Sequence, residues 1–194
     1  MNRQEEKFIL NLPELNNTLK LFNAYPIHKV RSINSLYFDT EDFQSFTDGE
    51  EGLVPRLKYR YRWYGIKNTI PNSGSIEIKE TLENHRIKKV FPFQIKNISE
   101  ISMFLSSKFK RSFYPMSQVS YKRLYFENLI GHRFTFDFDI NIKRHGEFNF
   151  YKVANNIFEI KYPLNHLDPK YSALLGDKKT RFSKYNESIL KLFF

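Results

Sequence analysis

Apolar and polar residues alternate along most of this chain, which is the pattern of β-strands that have one face in a core. The alternation predicts nine strands, at residues 2–10, 32–39, 54–64, 75–81, 86–92, 117–127, 132–143, 147–153 and 156–162. Helical spacing predicts five helices, at residues 13–23, 40–47, 98–110, 167–175 and 181–193. Many strands joined by turns, with few helices, favour an antiparallel α+β domain.

The strand at 54–64 shows the sharpest contrast between its two faces. Cations occupy every second position and large apolar residues lie between them: Arg56, Lys58, Arg60 and Arg62 against Leu57, Tyr59, Tyr61 and Trp63. Successive side chains of a strand point to opposite faces, so one face is cationic and the other apolar. The aromatic residues could stack on bases, as in RNA-binding sheets, but packing beneath covering helices is the expected role.

The same contrast recurs in other predicted strands. Charged residues share a face in each of them: Arg3, Glu5 and Lys7; Glu77 and Lys79; Arg123 and Glu127; Asp137 and Asp139; Glu159 and Lys161. One interpretation is a sheet with one face in solvent. The other is a sheet closed on itself, with the charged faces around a polyanion and helices on the apolar outside. In that case the cations would bind phosphate oxygens, and a few carboxylates would hold a divalent ion.

Composition limits the function classes. The 194 residues carry a net charge of +10, which indicates an anionic partner: nucleic acid, a phosphate-rich metabolite, polyphosphate or an acidic membrane surface. The chain has no cysteine, which excludes disulfides and a zinc–thiolate site. The charged N-terminal segment does not resemble a signal peptide, and no apolar run approaches about 20 residues. We therefore expect residues 1–194 to form a single domain of a soluble, cytoplasmic protein.

Eight motifs, in order along the chain, resemble those of the triphosphate tunnel metalloenzymes, the CYTH-like proteins. Within that superfamily they are similar to the polyphosphate polymerase domain of the vacuolar transporter chaperone (VTC) complex. The motifs are RQEEKF (3–8), INSLYFDTEDFQSF (33–46), RYRWYG (60–65), IEIKE (76–80), YKRLYFE (121–127), FTFDFDI (134–140), FEIKY (158–162) and RFSKY (181–185). Glu-Ile-Lys alone is common, so the order and spacing of all eight carry the resemblance.

The resemblance implies an α+β fold built on an antiparallel β-barrel, or tunnel, of about eight strands with peripheral helices. It implies an enzyme that transfers the terminal phosphate of ATP to a polyphosphate chain with Mn²⁺ or Mg²⁺. ATP and polyphosphate would be the partners, and nucleic acid would not. A membrane protein partner and a peripheral position at a membrane stay open. The alternatives are a metal-dependent tunnel triphosphatase and a non-catalytic polyanion- or RNA-binding module.

The resemblance also implies roles for individual residues. The residues that would contact the nucleotide phosphates are Arg60, Arg62, Lys79 and Arg123. Further contacts with phosphate would come from Arg3, Lys7, Lys58, Lys88, Lys161, Arg181, Ser183 and Lys184. The metal ligands would be Glu159 and, as second choice, Glu5. The alternative for each cation is a solvated strand position, for Glu159 an ion pair with a neighbouring cation, and for Ser183 an ordinary helix cap.

Two positions depart from the patterns of these families, and two acidic residues stay ambiguous. Arg3 stands where hydrolytic relatives have the first glutamate of Glu-x-Glu-x-Lys; losing a carboxylate that helps to bind metal favours phosphate transfer over attack by water. Arg181 stands where the polymerase signature often has lysine, which keeps the charge and changes its geometry. Asp137 and Asp139 could each hold a metal or orient an arginine.

Overall fold

The computed structural model of the protein describes residues 3–83, 86–163 and 169–194. The strands are β1 (Arg3–Ile9), β2 (Tyr25–Asp39), β3 (Arg56–Tyr64), β4 (Ser73–Thr81), β5 (Arg86–Gln94), β6 (Tyr114–Glu127), β7 (Arg133–Arg144), β8 (Tyr151–Lys152) and β9 (Ile157–Pro163). The helices are α1 (Leu12–Leu21), α2 (Gln44–Glu50), α3 (Ser99–Phe109), α4 (Pro169–Leu175) and α5 (Lys184–Phe193). Residue 2 of the first predicted strand, and residues 167 and 168 of the fourth predicted helix, lie outside the described residues.

The strands form an antiparallel sheet in the order β1-β9-β7-β6-β2-β3-β4-β5, with β8 paired to β7 off this path. The predicted α+β fold with about eight strands is thus confirmed. The sheet is not closed: in the described part of the chain, the order begins at β1 and ends at β5.

Two elements differ most from the predicted ones. Strand β2 begins at Tyr25, seven residues before the predicted start at 32. Its first part is almost entirely exposed, so it has no apolar stripe by which alternation could reveal it. Of the strand predicted at 147–153, the structure contains Tyr151–Lys152. His145 and Gly146, which has a positive φ, form a turn, and residues 147–150 connect that turn to the short strand.

The chain divides into two compact units, which are described one at a time. The first unit contains Met1–Arg31, Tyr121–Ile140 and Lys152–Phe182. Its core contains the aromatic rings of Phe8, Phe134 and Phe158 and, from helix α1, Leu15. The rings of Phe134 and Phe158 stack with centroids 5.8 Å apart. Because these residues lie on one face of β1, β7 and β9, the charged residues at alternate positions lie on the other face.

The second unit contains Ser32–Ser120, Asn141–Tyr151 and Ser183–Phe194. Its core joins the apolar faces of β2, β3 and β4 to helix α3: Leu36, Phe38, Tyr59, Tyr61, Trp63, Ile76, Ile78, Ile101 and Leu105. Tyr61 is fully buried and its hydroxyl donates to the carbonyl of Pro71 at 3.1 Å. The expectation that the aromatic face of β3 packs beneath a helix is therefore confirmed, and these rings are not exposed for base stacking.

Candidate functional site

Strands β3, β4 and β5 of the second unit bring a dense set of cations to one face. Their ladders place seven cations at positions that share this face: Arg56, Lys58, Arg60, Arg62, Lys79, Arg86 and Lys88. Among the described positions of these three ladders, Glu77 is the one carboxylate on that face. We call this set the cationic face.

Three lysines of the cationic face stand directly opposite one another. Lys58 of β3 pairs with Lys79 of β4, and Lys79 pairs with Lys88 of β5. Like charges directly opposite on neighbouring strands repel and destabilise a sheet. An anion bound across the three strands would relieve that repulsion.

Glu77 organises the neighbouring arginines. Its Oε2 accepts from Arg60 Nε at 2.8 Å and lies 3.4 Å from Nη1 of Arg62, while its Oε1 lies 2.7 Å from Lys88 Nζ. Arg62 and Glu77 are only 8% and 5% exposed. The cationic face is thus not an open, solvent-facing surface at these residues, as the interpretation with charged faces turned inward expects.

The pKa of Glu77 reflects these contacts. Burial works to raise the pKa of this carboxyl, but the charges of Arg60 and Arg62 and the hydrogen bond from Lys88 lower it from 4.5 to about 2. The carboxylate is therefore ionised under all ordinary conditions and holds the arginine side chains in fixed positions.

We expect Glu77→Gln to lower the free energy of unfolding by about 3 kcal/mol near neutral pH. This corresponds to the difference between the ordinary pKa of a glutamate, 4.5, and the pKa of about 2 that Glu77 has in the folded protein. Because the folded-state pKa is the lower one, the stabilisation is complete above pH 4.5 and disappears as the pH falls towards 2. Chemical denaturation of both proteins across this pH range measures it. A stability difference that does not shrink below pH 4.5 would contradict this account.

Lys58 lies beside the start of helix α5. Its ammonium donates to Ser183 Oγ at 2.8 Å and to Asn186 Oδ1 at 2.5 Å. Ser183 is the N-cap of α5, and its side chain accepts from the backbone N–H of Asn186. The capping role anticipated for Ser183 is thus real, and the same oxygen also contacts a lysine of the cationic face. Lys184 is the first residue of the helix and is half-buried.

Several residues of this region were not predicted from the sequence to belong to the site. The Tyr37 hydroxyl accepts from Arg60 Nη1 at 3.2 Å, and the Tyr37 ring stacks on that of Tyr185 with centroids 5.1 Å apart. Buried Asp39 accepts from the backbone N–H groups of Ser45 and Phe46 and from the Tyr185 hydroxyl. Strand phase alone could not identify Tyr37, because its position opposite Arg60 depends on the register between β2 and β3.

The first unit holds a second charged set, of which the pair of Arg123 with Asp137 is the most buried. Arg123 binds Asp137 through two hydrogen bonds, Nε to Oδ1 at 2.5 Å and Nη2 to Oδ2 at 2.7 Å. Asp137 is fully buried. Asp139 instead has a positive φ of 52° and pairs with Lys122 at 3.1 Å, where both side chains are exposed. Of the two aspartates, Asp137 is therefore the one that orients Arg123.

Strands β1 and β9 alternate charges across their ladder. Glu5 lies opposite Lys161, and Lys7 lies opposite Glu159. Lys161 Nζ is 3.2 Å from Glu159 Oε1 and 4.0 Å from Glu5 Oε1. The ion pair named as the alternative for Glu159 is therefore present. Lys7 Nζ donates to the backbone carbonyl of Phe182 at 2.9 Å.

A divalent ion can be tested against the donors around Glu159. The described residues contain no group of three or more His, Cys, Asp or Glu side chains that could hold a metal. However, Mg²⁺ commonly uses one or two protein carboxylates and takes its other ligands from phosphate and water. Thr135 lies directly opposite Glu159, and its buried hydroxyl has no hydrogen-bond partner in the described part of the chain. Glu159, Glu5 and this unsatisfied oxygen fit an ion of that kind.

Two predicted site residues cannot be placed in these sets. Arg3 belongs to the backbone of β1, but its side chain lies outside the described residues. Arg181 is exposed in the segment just before α5. None of the helices in the described ranges is long and apolar enough to cross a membrane.

Solved structures share this fold over nearly the whole chain. A candidate adenylate cyclase from Vibrio parahaemolyticus aligns with a TM-score of 0.58 and 12% identity, covering 98% of each chain. A candidate adenylyl cyclase from Hippeastrum, for which a dominant triphosphatase activity was found, aligns with a TM-score of 0.57 and 14% identity, covering 100% of this chain and 98% of its own. At these levels of identity the likenesses show that the chains share a fold.

The family follows from the sequence as a whole. The sequence model of the family named VTC domain matches residues 2–193 of the chain. The chain therefore belongs to the VTC domain family, as its motifs predicted. A search of curated proteins finds no match to the chain.

Proposed function

We propose that the protein is a metal-dependent phosphotransferase that moves the terminal phosphate of ATP onto a polyphosphate chain. The observation that carries this proposal is the cationic face, where seven cations share a face with one carboxylate and three lysines stand directly opposite one another. So large an excess of positive charge on one face favours a bound polyanion. Membership of the VTC domain family supports a phosphate chain as that polyanion.

Phosphoryl transfer needs positioning and charge neutralisation more than covalent help from the protein. In the second unit, Arg60 and Arg62 are held by Glu77 with donors fixed in position, and Lys58, Lys79 and Lys88 add the compact charges of their ammonium groups. We assign nucleotide phosphates to the two arginines and Lys79. Ser183 and Lys184, at the N-terminus of α5, have backbone N–H groups that also favour anions.

The roles in the first unit are proposals for that unit by itself. The guanidinium of Arg123 is oriented by Asp137 and would contact a phosphate group with its remaining donors. Lys161, Lys7, Arg3 and Arg181 would add positive charge. Glu159 and Glu5 would hold Mn²⁺ or Mg²⁺, which, when bound, neutralises developing negative charge on phosphate oxygens.

A tunnel triphosphatase is the second candidate. The Hippeastrum protein of the same fold, with its dominant triphosphatase activity, favours it by fold-level analogy. Arg3 in place of a carboxylate favours transfer instead, because a further cation binds another phosphate better than it activates water. A non-catalytic polyanion- or RNA-binding module is the third.

Incubation with ATP labelled at its terminal phosphate and Mn²⁺, followed by gel analysis, distinguishes these functions. We expect labelled chains that lengthen with time. Free phosphate released from ATP or tripolyphosphate, without chains, would instead establish the triphosphatase. Neither product, together with retained tripolyphosphate binding, would leave a binding module. RNA that competes with tripolyphosphate would point to the RNA-binding form of that module.

The metal assignment gives a separate prediction. Glu159→Gln is expected to lower activity at least about tenfold, because charge stabilisation by a metal is worth several kcal/mol. The melting temperature should change little, because glutamine keeps the shape of Glu159 and Lys161 still has the carboxylate of Glu5 4.0 Å away. Exposed Glu147, on the turn after β7, provides the matched control Glu147→Gln, which should leave activity unchanged. Full activity of Glu159→Gln, or of the wild type in excess EDTA, would refute the assignment.

A further inference from the structure

Three neighbouring strands each place one residue in a row across the cationic face. Tyr37 of β2 lies directly opposite Arg60 of β3, and Arg60 lies directly opposite Glu77 of β4. The guanidinium of Arg60 contacts both neighbours. Its Nε and Nη2 donate to Glu77 Oε2 at 2.8 and 2.5 Å, and its Nη1 donates to the Tyr37 hydroxyl at 3.2 Å. The arginine is therefore bound from both sides of its own strand.

Tyr37 is itself held by a buried support. Its ring stacks on the ring of Tyr185, with centroids 5.1 Å apart and planes inclined by 30°. The Tyr185 hydroxyl donates to buried Asp39, which also accepts from the backbone N–H groups of Ser45 and Phe46 on helix α2. Burial and the charge of Asp39 raise the pKa of the Tyr185 hydroxyl, so it stays protonated and keeps this bond. The position of the Tyr37 ring is thus fixed through α2.

Exposure separates the roles of the arginine and the tyrosine. The side chain of Arg60 is 22% exposed, whereas Tyr37 is 5% exposed. A ligand on the cationic face therefore reaches the guanidinium more readily than the phenol. The Arg60 Cζ also lies over the Tyr37 ring, 5.9 Å from its centroid, at a distance where an aromatic face attracts a cation. Tyr37 is placed to act on a ligand through Arg60.

We propose that Tyr37 is a positioning residue, which fixes the orientation of the Arg60 guanidinium for binding phosphate. The inference rests on the proposed function of the cationic face. Both bonds to Glu77 meet at one oxygen, Oε2, and a planar guanidinium can turn about such a single point. The hydrogen bond at Nη1 opposes that turn. A donor that is already oriented loses less freedom when an anion binds, which strengthens binding.

A double-mutant cycle with tripolyphosphate tests the proposal by calorimetric titration. Tyr37→Phe removes the acceptor for Nη1 and keeps the ring that stacks on Tyr185, so the fold should be retained. Y37F should bind tripolyphosphate about fivefold more weakly, which is the size of one ordinary hydrogen bond. In an R60M background, where residue 60 has no donor, the same change should alter the affinity less than about twofold. Exposed Tyr114 provides the matched control Y114F, which should bind like the wild type.

Nitrogen NMR of labelled arginine side chains gives a second measurement that needs no ligand. The Arg60 guanidinium, assigned by its absence in R60M, should rotate faster in Y37F than in the wild type. Unchanged rotation or unchanged affinity of Y37F would overturn the proposal. An equal loss of affinity with and without Arg60 would do so too, because the phenol would then contact phosphate directly. Failure of the wild type to bind tripolyphosphate would instead refute the proposed function, while the NMR comparison would still test the positioning of Arg60.

Discussion

Replacing Arg62 with alanine is expected to weaken tripolyphosphate binding about tenfold to a hundredfold. A charge-assisted hydrogen bond is worth about 1.5–3 kcal/mol, and Arg62 has its guanidinium on the cationic face with only 8% of the residue exposed. The fold should tolerate the change, because Glu77 keeps its contacts with Arg60 and Lys88. Calorimetric titration measures the affinity, and thermal melting checks the fold.

The neighbouring residue provides the matched control. Tyr61 points to the opposite face of the same strand and is fully buried. The centroid of its ring lies 6.0 Å from that of Trp63. Tyr61→Ala should therefore cost about 3–5 kcal/mol of folding stability. Folded Tyr61→Ala protein, measured well below its lowered melting temperature, should retain its affinity. If Tyr61→Ala lost binding while keeping its melting temperature, and Arg62→Ala did the reverse, the aromatic face would be the ligand face.

Strand phase made the cationic face predictable from the sequence. Residues 58, 60 and 62 must share a face whatever the register, and the same holds for 77 and 79. What alternation could not give is the register itself, which sets Lys58 opposite Lys79 and Lys79 opposite Lys88. It also could not show that one carboxylate, Glu77, would bind cations from two neighbouring strands.

Contacts between residues far apart in the chain could not be predicted from the sequence. Lys58 and Asn186 are separated by 128 positions, and nothing local to either residue indicates the other. The start of β2 was missed for a different reason: exposed on both faces, it has no apolar periodicity. The sequence left Asp137 and Asp139 equivalent because both share a phase in an ideal strand, whereas the positive φ at Asp139 breaks that phase.

The different environments of Asp137 and Asp139 lead to the second large prediction. Asp137→Ala is expected to lower the free energy of unfolding by about 3 kcal/mol, because the guanidinium of Arg123, whose side chain is only 12% exposed, loses the carboxylate that binds it through two hydrogen bonds. Asp139→Ala should cost less than about 1 kcal/mol, since its pair with Lys122 lies in solvent, with side chains 39% and 49% exposed. Urea denaturation of the two proteins measures the difference.

Replacing both members of the buried pair shows whether the loss comes from an unpaired charge. R123M/D137L puts apolar side chains at both positions, which can be nearly neutral or even stabilising when a buried ion pair is replaced. We expect it to recover most of the stability that Asp137→Ala loses, while losing any phosphate contact that Arg123 makes. Equal costs for Asp137→Ala and Asp139→Ala would show that the buried pair does not stabilise the first unit. A double variant as unstable as Asp137→Ala would show that packing, rather than the charge of Arg123, makes Asp137 necessary.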